Sequence, residues 1–179
     1  VINAALLLSY TNFFKRYSIL GNFVVSICVW FGFLYGDLVF DFQLNWFPQC
    51  LGFSAFVLNF GREIAKGIID IEGDSQNGVT TVATALGITW AAIISALFFL
   101  SAVVATIIPL FLAKASWVYF GTILIADAAA VIVSIWILVD QSHKSIKIVK
   151  TVILFIMLAS LFSFTLEAFL GPMVGPIIT

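Results

Sequence analysis

The sequence predicts an all-α membrane protein, a polytopic helical bundle with six spanning helices. Of the 179 residues, 63% are hydrophobic and only 9% are charged, whereas a soluble domain carries about 25% charged residues. So few charges cannot cover a surface that faces water on all sides. Six apolar runs also follow one another, and the complete ones are 21 to 25 residues long. About 20 helical residues cross a bilayer core, so each complete run is long enough to span it.

The six runs define the predicted elements in order: Val1 to Phe14, Ile19 to Val39, Trp46 to Ile69, Gly87 to Phe111, Trp117 to Val139 and Ile146 to Leu170. A membrane-spanning strand would need about 10 residues of alternating character, and the runs do not alternate. The first run is short and starts without a Met, so we expect helices to be missing from the amino-terminal side. Residues 1–179 are otherwise expected to form a single membrane-embedded domain.

The basic residues predict the orientation in the membrane. Successive spans alternate direction, which places seven of the eight Lys and Arg residues on one side, leaving only Lys114 on the other. The seven are Lys15, Arg16, Arg62, Lys66, Lys144, Lys147 and Lys150. Loops rich in Lys and Arg stay in the cytoplasm. The side that carries the seven is therefore predicted to be cytoplasmic, in a multi-pass protein of the cell membrane.

One polar stretch interrupts the apolar sequence at the end of the third run. It reads "GREIAKGIIDIEGDSQNG" and contains six ionisable residues: Arg62, Glu63, Lys66, Asp70, Glu72 and Asp74. On a continuous helix, Glu63, Asp70 and Asp74 lie within about 40° of one another, and Lys66 and Asn59 lie within about 60° of Glu63. Glu72 points to the opposite side and is interpreted as a solvated charge at a helix end.

Three carboxylates on one stripe repel one another unless a positive group lies between them. A divalent metal and basic side chains are both candidates. Oxygen ligands without His or Cys favour Mg²⁺ or Ca²⁺ over zinc. Glu63 also lies inside an apolar run, where an ionised carboxylate costs at least ~2.5 kcal/mol unless it is paired or hydrated. A second basic pair, Lys15 and Arg16, is expected on the same side, either snorkelling at the membrane edge or binding a phosphate-bearing ligand.

Two motifs resemble a known family. "REIAKGIIDIEGD", followed by "NGVTTVATALG", is similar to the second aspartate-rich motif and following loop of the UbiA-type intramembrane prenyltransferases. The earlier pattern Y-x4-K-R-x4-G-N-x2-V-S also fits, and it is carried by Tyr10, Lys15, Arg16, Gly21, Asn22, Val25 and Ser26. The combination looks closest to the archaeal digeranylgeranylglyceryl phosphate synthases. The resemblance runs from Val1 to the sixth apolar run.

The resemblance implies roles for the polar residues. Asp70 and Asp74 would hold Mg²⁺ against an allylic diphosphate, with Glu63 as the third acidic member and Lys66 assisting catalysis. The expected substrate-binding residues are Lys15, Arg16 and Arg62 for phosphate oxygens, and Tyr10, Asn22 and Asn59 along the cavity.

The sequence departs from the family pattern in several ways. Its proteins have nine spanning helices and a first aspartate-rich motif, which is not in this sequence. Gly67 stands where close relatives often have Asp, and Glu63 takes up the third acidic place. Another acid, Asp127, lies within the fifth run, where it is either hydrogen-bonded to a neighbouring helix or functional.

The expected activity is a Mg²⁺-dependent prenyl transfer between two lipid substrates within the membrane. A geranylgeranyl group would pass from its diphosphate to the hydroxyl of geranylgeranylglyceryl phosphate, in ether-lipid synthesis. One alternative is transfer to an aromatic acceptor, as in quinone or chlorophyll-type pathways. Another is a cation or proton transporter, although transporters place their acids nearer mid-membrane. The sequence gives no indication of nucleic-acid binding or of a protein partner.

Overall fold

The computed structural model describes residues 18–42, 44–112 and 115–175. Seven helices make up this part of the chain: α1 Ser18–Asp41, α2 Trp46–Ile69, α3 Ile71–Gln76, α4 Val82–Leu86, α5 Ile88–Leu112, α6 Trp117–Val139 and α7 His143–Val174. The predicted all-α class is confirmed. The first apolar run, Val1 to Phe14, lies outside the described residues.

Four of the described helices are long and apolar enough to cross a membrane: α1, α5, α6 and α7. α2 has 24 residues and is equally long, but its carboxyl-terminal half carries three charges. The predicted bounds agree with α6 at both ends and differ at α7. His143 and Lys144, which precede the predicted run Ile146 to Leu170, form the first turn of α7. Ser142 caps that helix and accepts a hydrogen bond from the Ser145 backbone N–H at 3.3 Å.

The bundle is built around α2, which packs against α1, α5 and α7, while α6 packs against α5 and α7. The core between these helices is apolar, with fully buried side chains such as Leu58, Phe99, Tyr119, Ile123 and Ile153. Large apolar side chains also cover the outside of the bundle; Ile125 is 73% exposed and Phe155 is 65% exposed. A protein that is apolar both inside and outside matches a lipid environment.

Polar contacts join the helices at the end opposite the charged stretch. Asp37 of α1 accepts hydrogen bonds from the Asn45 backbone N–H at 2.6 Å, from Asn45 Nδ2 at 2.8 Å and from Gln49 Nε2 at 3.0 Å. These bonds fix the turn between α1 and α2. Nearby, Ser116 caps α6 and donates from its backbone N–H (2.8 Å) and its hydroxyl to the carboxylate of Glu167 on α7.

Asp127 is buried between α5 and α6. Its Oδ1 accepts a hydrogen bond from Thr106 Oγ1 at 2.8 Å, and the carbonyl of Thr106 accepts one from the Tyr119 hydroxyl at 2.9 Å. Of the two interpretations open for this residue, the contacts favour a hydrogen bond to the neighbouring helix.

Candidate active site

The charged stretch lies at one end of the bundle, where α2 ends and α5 and α7 begin. The chain does not continue as one helix from residue 59 to residue 74. α2 ends at Ile69, Asp70 has φ −91° and ψ 4°, and the short helix α3 follows. The Asp74 backbone N–H still donates to the Asp70 carbonyl at 2.8 Å, so Asp74 lies one turn beyond Asp70. Gly78, with φ +64°, then turns the chain toward α4.

Glu63 is neutralised by the two cations next to it on α2. Arg62 Nη1 donates to Glu63 Oε1 at 2.6 Å, and Lys66 Nζ lies 3.7 Å from Glu63 Oε2. The side chains of Arg62 and Glu63 are each 18% exposed, whereas that of Lys66 is 46% exposed. The expectation from sequence was a metal ligand at Glu63. In this structure the carboxylate pairs with an Arg and a Lys, and its place as the third acidic member of a metal site stays a prediction.

Asp70 and Asp74 form the acidic part of the site. Asp70 is exposed and Asp74 is partly buried. Burial raises the pKa of Asp74, and the negative charge of Asp70 raises it further, while the Lys66 ammonium lowers it. Asp70 and Lys66 therefore influence the ionisation of Asp74 in opposite directions.

The described residues contain no group of three acidic, His or Cys side chains that could hold a metal ion. In this structure the Glu63 carboxylate is directed to Arg62 and Lys66. The donor set that remains, two neighbouring carboxylates, nevertheless suits Mg²⁺. This ion is commonly bound by one or two carboxylates, and water and substrate phosphate supply its other ligands.

Gly67 lies at the contact between α2 and α4. A Cβ at this position would be 3.6 Å from Thr81 Oγ1 and 3.9 Å from Ala83 Cβ, which is ordinary van der Waals contact. Thr81 caps α4 in a capping box with Thr84: Thr84 N–H donates to Thr81 Oγ1 at 3.1 Å, and Thr81 N–H donates to Thr84 Oγ1 at 2.8 Å. The loop that follows the acidic residues is thus packed back onto α2.

Two of the predicted substrate-binding residues lie in the seam between α1 and α2. Asn59 Nδ2 donates to Ser26 Oγ at 2.9 Å, and Ser26 Oγ donates to the Asn22 carbonyl at 2.7 Å. The first bond joins α1 to α2 at Ser26 and Asn59, with Asn59 about one helical turn from Glu63, while the acceptor on Asn22 is its backbone carbonyl. Of the other four, Arg62 lies on α2 beside Glu63, and Tyr10, Lys15 and Arg16 lie outside the described residues.

An apolar cavity of about 450 Å³ opens between α1, α2 and α7 at the other end of the bundle. Its lining includes Gly32, Phe33, Gly36, Pro48 and Phe164. Together, the helices and the charged end define a class of protein: an all-α membrane protein with a polar site at one end of an apolar bundle.

The chain belongs to the UbiA prenyltransferase family, whose family model matches residues 1–159. A curated relative named digeranylgeranylglyceryl phosphate synthase, from Archaeoglobus fulgidus, is 31% identical over 87% of this chain and 54% of its own length. The relative of the same name from Saccharolobus solfataricus is 39% identical over 49% of this chain and 32% of its own. The matched region is about half of the length of the Archaeoglobus relative and about a third of that of the Saccharolobus relative.

A solved structure has the same arrangement of helices. It is described as giving structural and mechanistic insights into the biosynthesis of digeranylgeranylglyceryl phosphate synthase in membranes. The two structures superpose with a TM-score of 0.85 at 25% sequence identity, over 93% of this chain and 59% of the other. The resemblance predicted from the two motifs is therefore confirmed at the level of the family and of its fold.

Sequence reasoning did not predict the contact between Arg62 and α7. Arg62 Nε donates to the carbonyl of Lys150 at 3.1 Å, joining residues that are 88 positions apart. The only signal available in the sequence was the expectation that both residues lie on the same side of the membrane.

Proposed function

We propose that the protein transfers a geranylgeranyl group from geranylgeranyl diphosphate to the hydroxyl of geranylgeranylglyceryl phosphate. The observation that carries this proposal is the position of Asp70, Asp74 and Lys66 together at one end of a UbiA-family bundle, where Asp70 and Lys66 both act on the pKa of Asp74. The names of the relatives indicate the acceptor. The full protein is expected to have nine spanning helices, six of them within these 179 residues.

The reaction breaks the bond between C1 of the allylic group and the diphosphate oxygen, and it forms an ether bond between C1 and the acceptor oxygen. The acceptor hydroxyl loses its proton, which passes to the released diphosphate. Diphosphate takes the electron pair of the broken bond, so negative charge accumulates on it. Bound Mg²⁺ would supply charge neutralisation for this leaving group.

The chain's own residues do the remaining work. Asp70 and Asp74 would hold the metal, and the half-exposed ammonium of Lys66 would donate hydrogen bonds to diphosphate oxygens. Glu63 keeps Lys66 on this side of α2, since its carboxylate lies 3.7 Å from the ammonium. Asn22 and Asn59 line the seam below, and the prenyl chain would extend among apolar side chains toward the opposite end.

The site is proposed to open to the cytoplasm of a multi-pass cell-membrane protein. All described Lys and Arg residues lie at the end of the bundle that carries the acidic stretch. A charged diphosphate cannot cross the membrane unaided, so a cytosolic donor requires this orientation.

The test is an assay of the full-length protein in lipid nanodiscs with geranylgeranyl diphosphate, Mg²⁺ and one acceptor at a time. We expect the ether product from geranylgeranylglyceryl phosphate and none from 4-hydroxybenzoate. Excess chelator should abolish turnover, and added Mg²⁺ should restore it. Transfer only to the aromatic acid would favour the alternative acceptor class, and turnover in chelator would contradict the metal assignment.

Single substitutions test the two carboxylates. Asp70→Ala and Asp74→Ala should each reduce turnover by a factor of at least about 100, as expected when groups that stabilise transition-state charge are removed. Glu72→Ala is the matched control, because Glu72 is exposed on the same short helix and makes no ion pair with a described residue. An equal loss in all three variants would contradict the assignment.

A further inference from the structure

The first two turns of α7 carry a group of basic residues that has no role in the proposed function. The group comprises His143, Lys144, Lys147 and Lys150, at the same end of the bundle as the candidate active site. Among the residues that the structure describes, the only ion pairs are those of Glu63 with Arg62 and Lys66. The three α7 lysines thus have no described acidic partner.

The lysines differ in the direction they face. On a helix, Lys147 and Lys150 lie within about 60° of each other, and Lys150 lies within about 60° of the buried residues Ile146 and Ile153. Lys150 is accordingly partly buried, at the edge of the packed face of α7, whereas Lys144 and Lys147 are exposed. A partly buried lysine with no carboxylate partner among the described residues is suited to an anionic ligand.

Arg62 brings this edge of α7 to the active-site helix. Its Nε donates to the Lys150 carbonyl at 3.1 Å, and its Nη1 donates to Glu63 at 2.6 Å. No described residue accepts a hydrogen bond from Nη2 of Arg62. The guanidinium therefore keeps donor capacity next to the Lys150 backbone, where α2 and α7 meet.

Arg62 and Lys150 lie at similar depths in the bundle, as their contact requires. Arg62 lies seven residues before the end of α2 at Ile69, and Lys150 lies seven residues after the start of α7 at His143. Each is thus about 10 Å from the end of its helix, and Arg62 is about 12 Å along the axis from Asp70. The Arg62–Lys150 site is separate from the two carboxylates but belongs to the same end of the bundle.

We propose that Arg62 and Lys150 bind the phosphate monoester of the lipid acceptor, with Lys147 at the entrance. This inference rests on the proposed function. It assigns the diphosphate of the donor and the phosphate of the acceptor to different sites. The acceptor phosphate carries up to two negative charges and would be repelled by Asp70, Asp74 and the donor diphosphate. Its hydroxyl, on the neighbouring glycerol carbon, would point from the Arg62–Lys150 site toward the allylic C1.

Direct binding of geranylgeranylglyceryl phosphate, without donor, tests the site independently of turnover. The full-length protein is placed in nanodiscs of neutral phosphatidylcholine, and Kd is measured for the phosphorylated lipid and for phosphate-free geranylgeranylglycerol. Lys150→Gln should weaken binding of the phosphorylated lipid about tenfold or more, as expected for loss of a charged hydrogen bond. The variant keeps the backbone carbonyl that Arg62 contacts, so its thermal unfolding should resemble the wild type.

Lys144→Gln is the matched control, with the same change of charge on the exposed face of the same helix. It should leave the Kd of the phosphorylated lipid unchanged. Equal weakening in both variants, or an unchanged Kd in Lys150→Gln, would overturn the site. The inference would also be wrong if Lys150→Gln weakened binding of geranylgeranyl diphosphate as strongly as binding of the acceptor.

The head groups of membrane lipids also carry phosphate, and they are the other candidate ligand of Arg62 and Lys150. Repeating the measurement with 30% phosphatidylglycerol separates the two sources. If the site serves the acceptor, Lys150→Gln remains weaker than wild type in both membranes. If the difference vanishes in neutral membranes, the lysine binds lipid head groups and the proposal is wrong. Wild-type binding without turnover would instead refute the proposed reaction and leave the site standing.

Discussion

Gly61 should control how closely α2 approaches α5, immediately before the charged residues of the site. A Cβ built at Gly61 would lie 2.8 Å from Phe98 Cβ and 2.9 Å from Phe99 Cε1. Phe99 is fully buried, and the Phe98 ring packs edge-on against Phe60 with centroids 4.9 Å apart. Neither phenylalanine can move away without disturbing the core. The atoms close to the new Cβ are the Cβ of Phe98 and a ring carbon of Phe99, which cannot be displaced by a simple side-chain rotation.

The expected effect of Gly61→Ala follows from two opposing contributions. Overpacking a well-packed core costs about 1–3 kcal/mol, whereas replacing Gly by Ala within a helix gains up to about 1 kcal/mol. Gly73→Ala on α3 is the matched control, because a Cβ there meets no atom within 4 Å and causes no overpacking. The two variants share the gain in helix propensity, so their difference in unfolding free energy should be about 1–3 kcal/mol.

The assay is thermal unfolding in one detergent at one scan rate, followed by tryptophan fluorescence. For a chain of this size, about 1 kcal/mol shifts the midpoint by about 2–4 °C. Gly61→Ala should therefore unfold about 2–12 °C below Gly73→Ala. If Gly61→Ala unfolds at the same temperature as Gly73→Ala or above it, the close approach of α2 and α5 is not a tight packing constraint.

Three further predictions concern other parts of the bundle. Asp127→Asn should retain activity and lose at most about 1 kcal/mol of stability, since an amide oxygen can still accept the Thr106 hydrogen bond and such bonds between membrane helices average about 0.6 kcal/mol. Hydrogen bonds donated by the Ser145 hydroxyl and the neighbouring backbone hold the pKa of Asp140 below its ordinary value. Asp140 thus stabilises the fold above its unfolded pKa, about 3.9, and this contribution disappears as pH falls through the lower folded pKa. Ser145→Ala should accordingly lower the unfolding temperature at pH 7 and have a smaller effect below about pH 4. A single cysteine at Asn77, in a background without the two native cysteines, should react with an impermeant thiol reagent only in inside-out vesicles, whereas one at exposed Leu44 should react only in intact cells.

Different results would contradict each of these expectations. Loss of activity in Asp127→Asn at unchanged unfolding temperature would indicate a functional role for that acid. A pH-independent effect of Ser145→Ala would mean that its hydroxyl does not favour the ionised form of Asp140. Labelling at position 77 from outside the cell would reverse the proposed orientation of the site.

The sequence alone determined the class of the protein and most of the helices. The length of an apolar run can be counted directly in the sequence. A run of 23 residues that is bounded by polar loops fixes where a membrane-spanning helix begins and ends. Trp117–Val139 was predicted at both bounds for this reason. The motif between Gly61 and Gly78 was also sufficient to indicate the family, because its charged residues stand out from an apolar background.

Only the tertiary structure decided which charges meet. A helical wheel placed Glu63, Asp70 and Asp74 on one stripe, but it could not show the interruption of the helix at Asp70 or the pairing of Glu63 with two cations. Nor could it bring Lys150 to Arg62, 88 positions away. The physical reason is that periodicity fixes the direction of a side chain only relative to its own helix. Its partners depend on how separate helices pack, and that packing is set by close contacts such as Gly61 against Phe98 and Phe99.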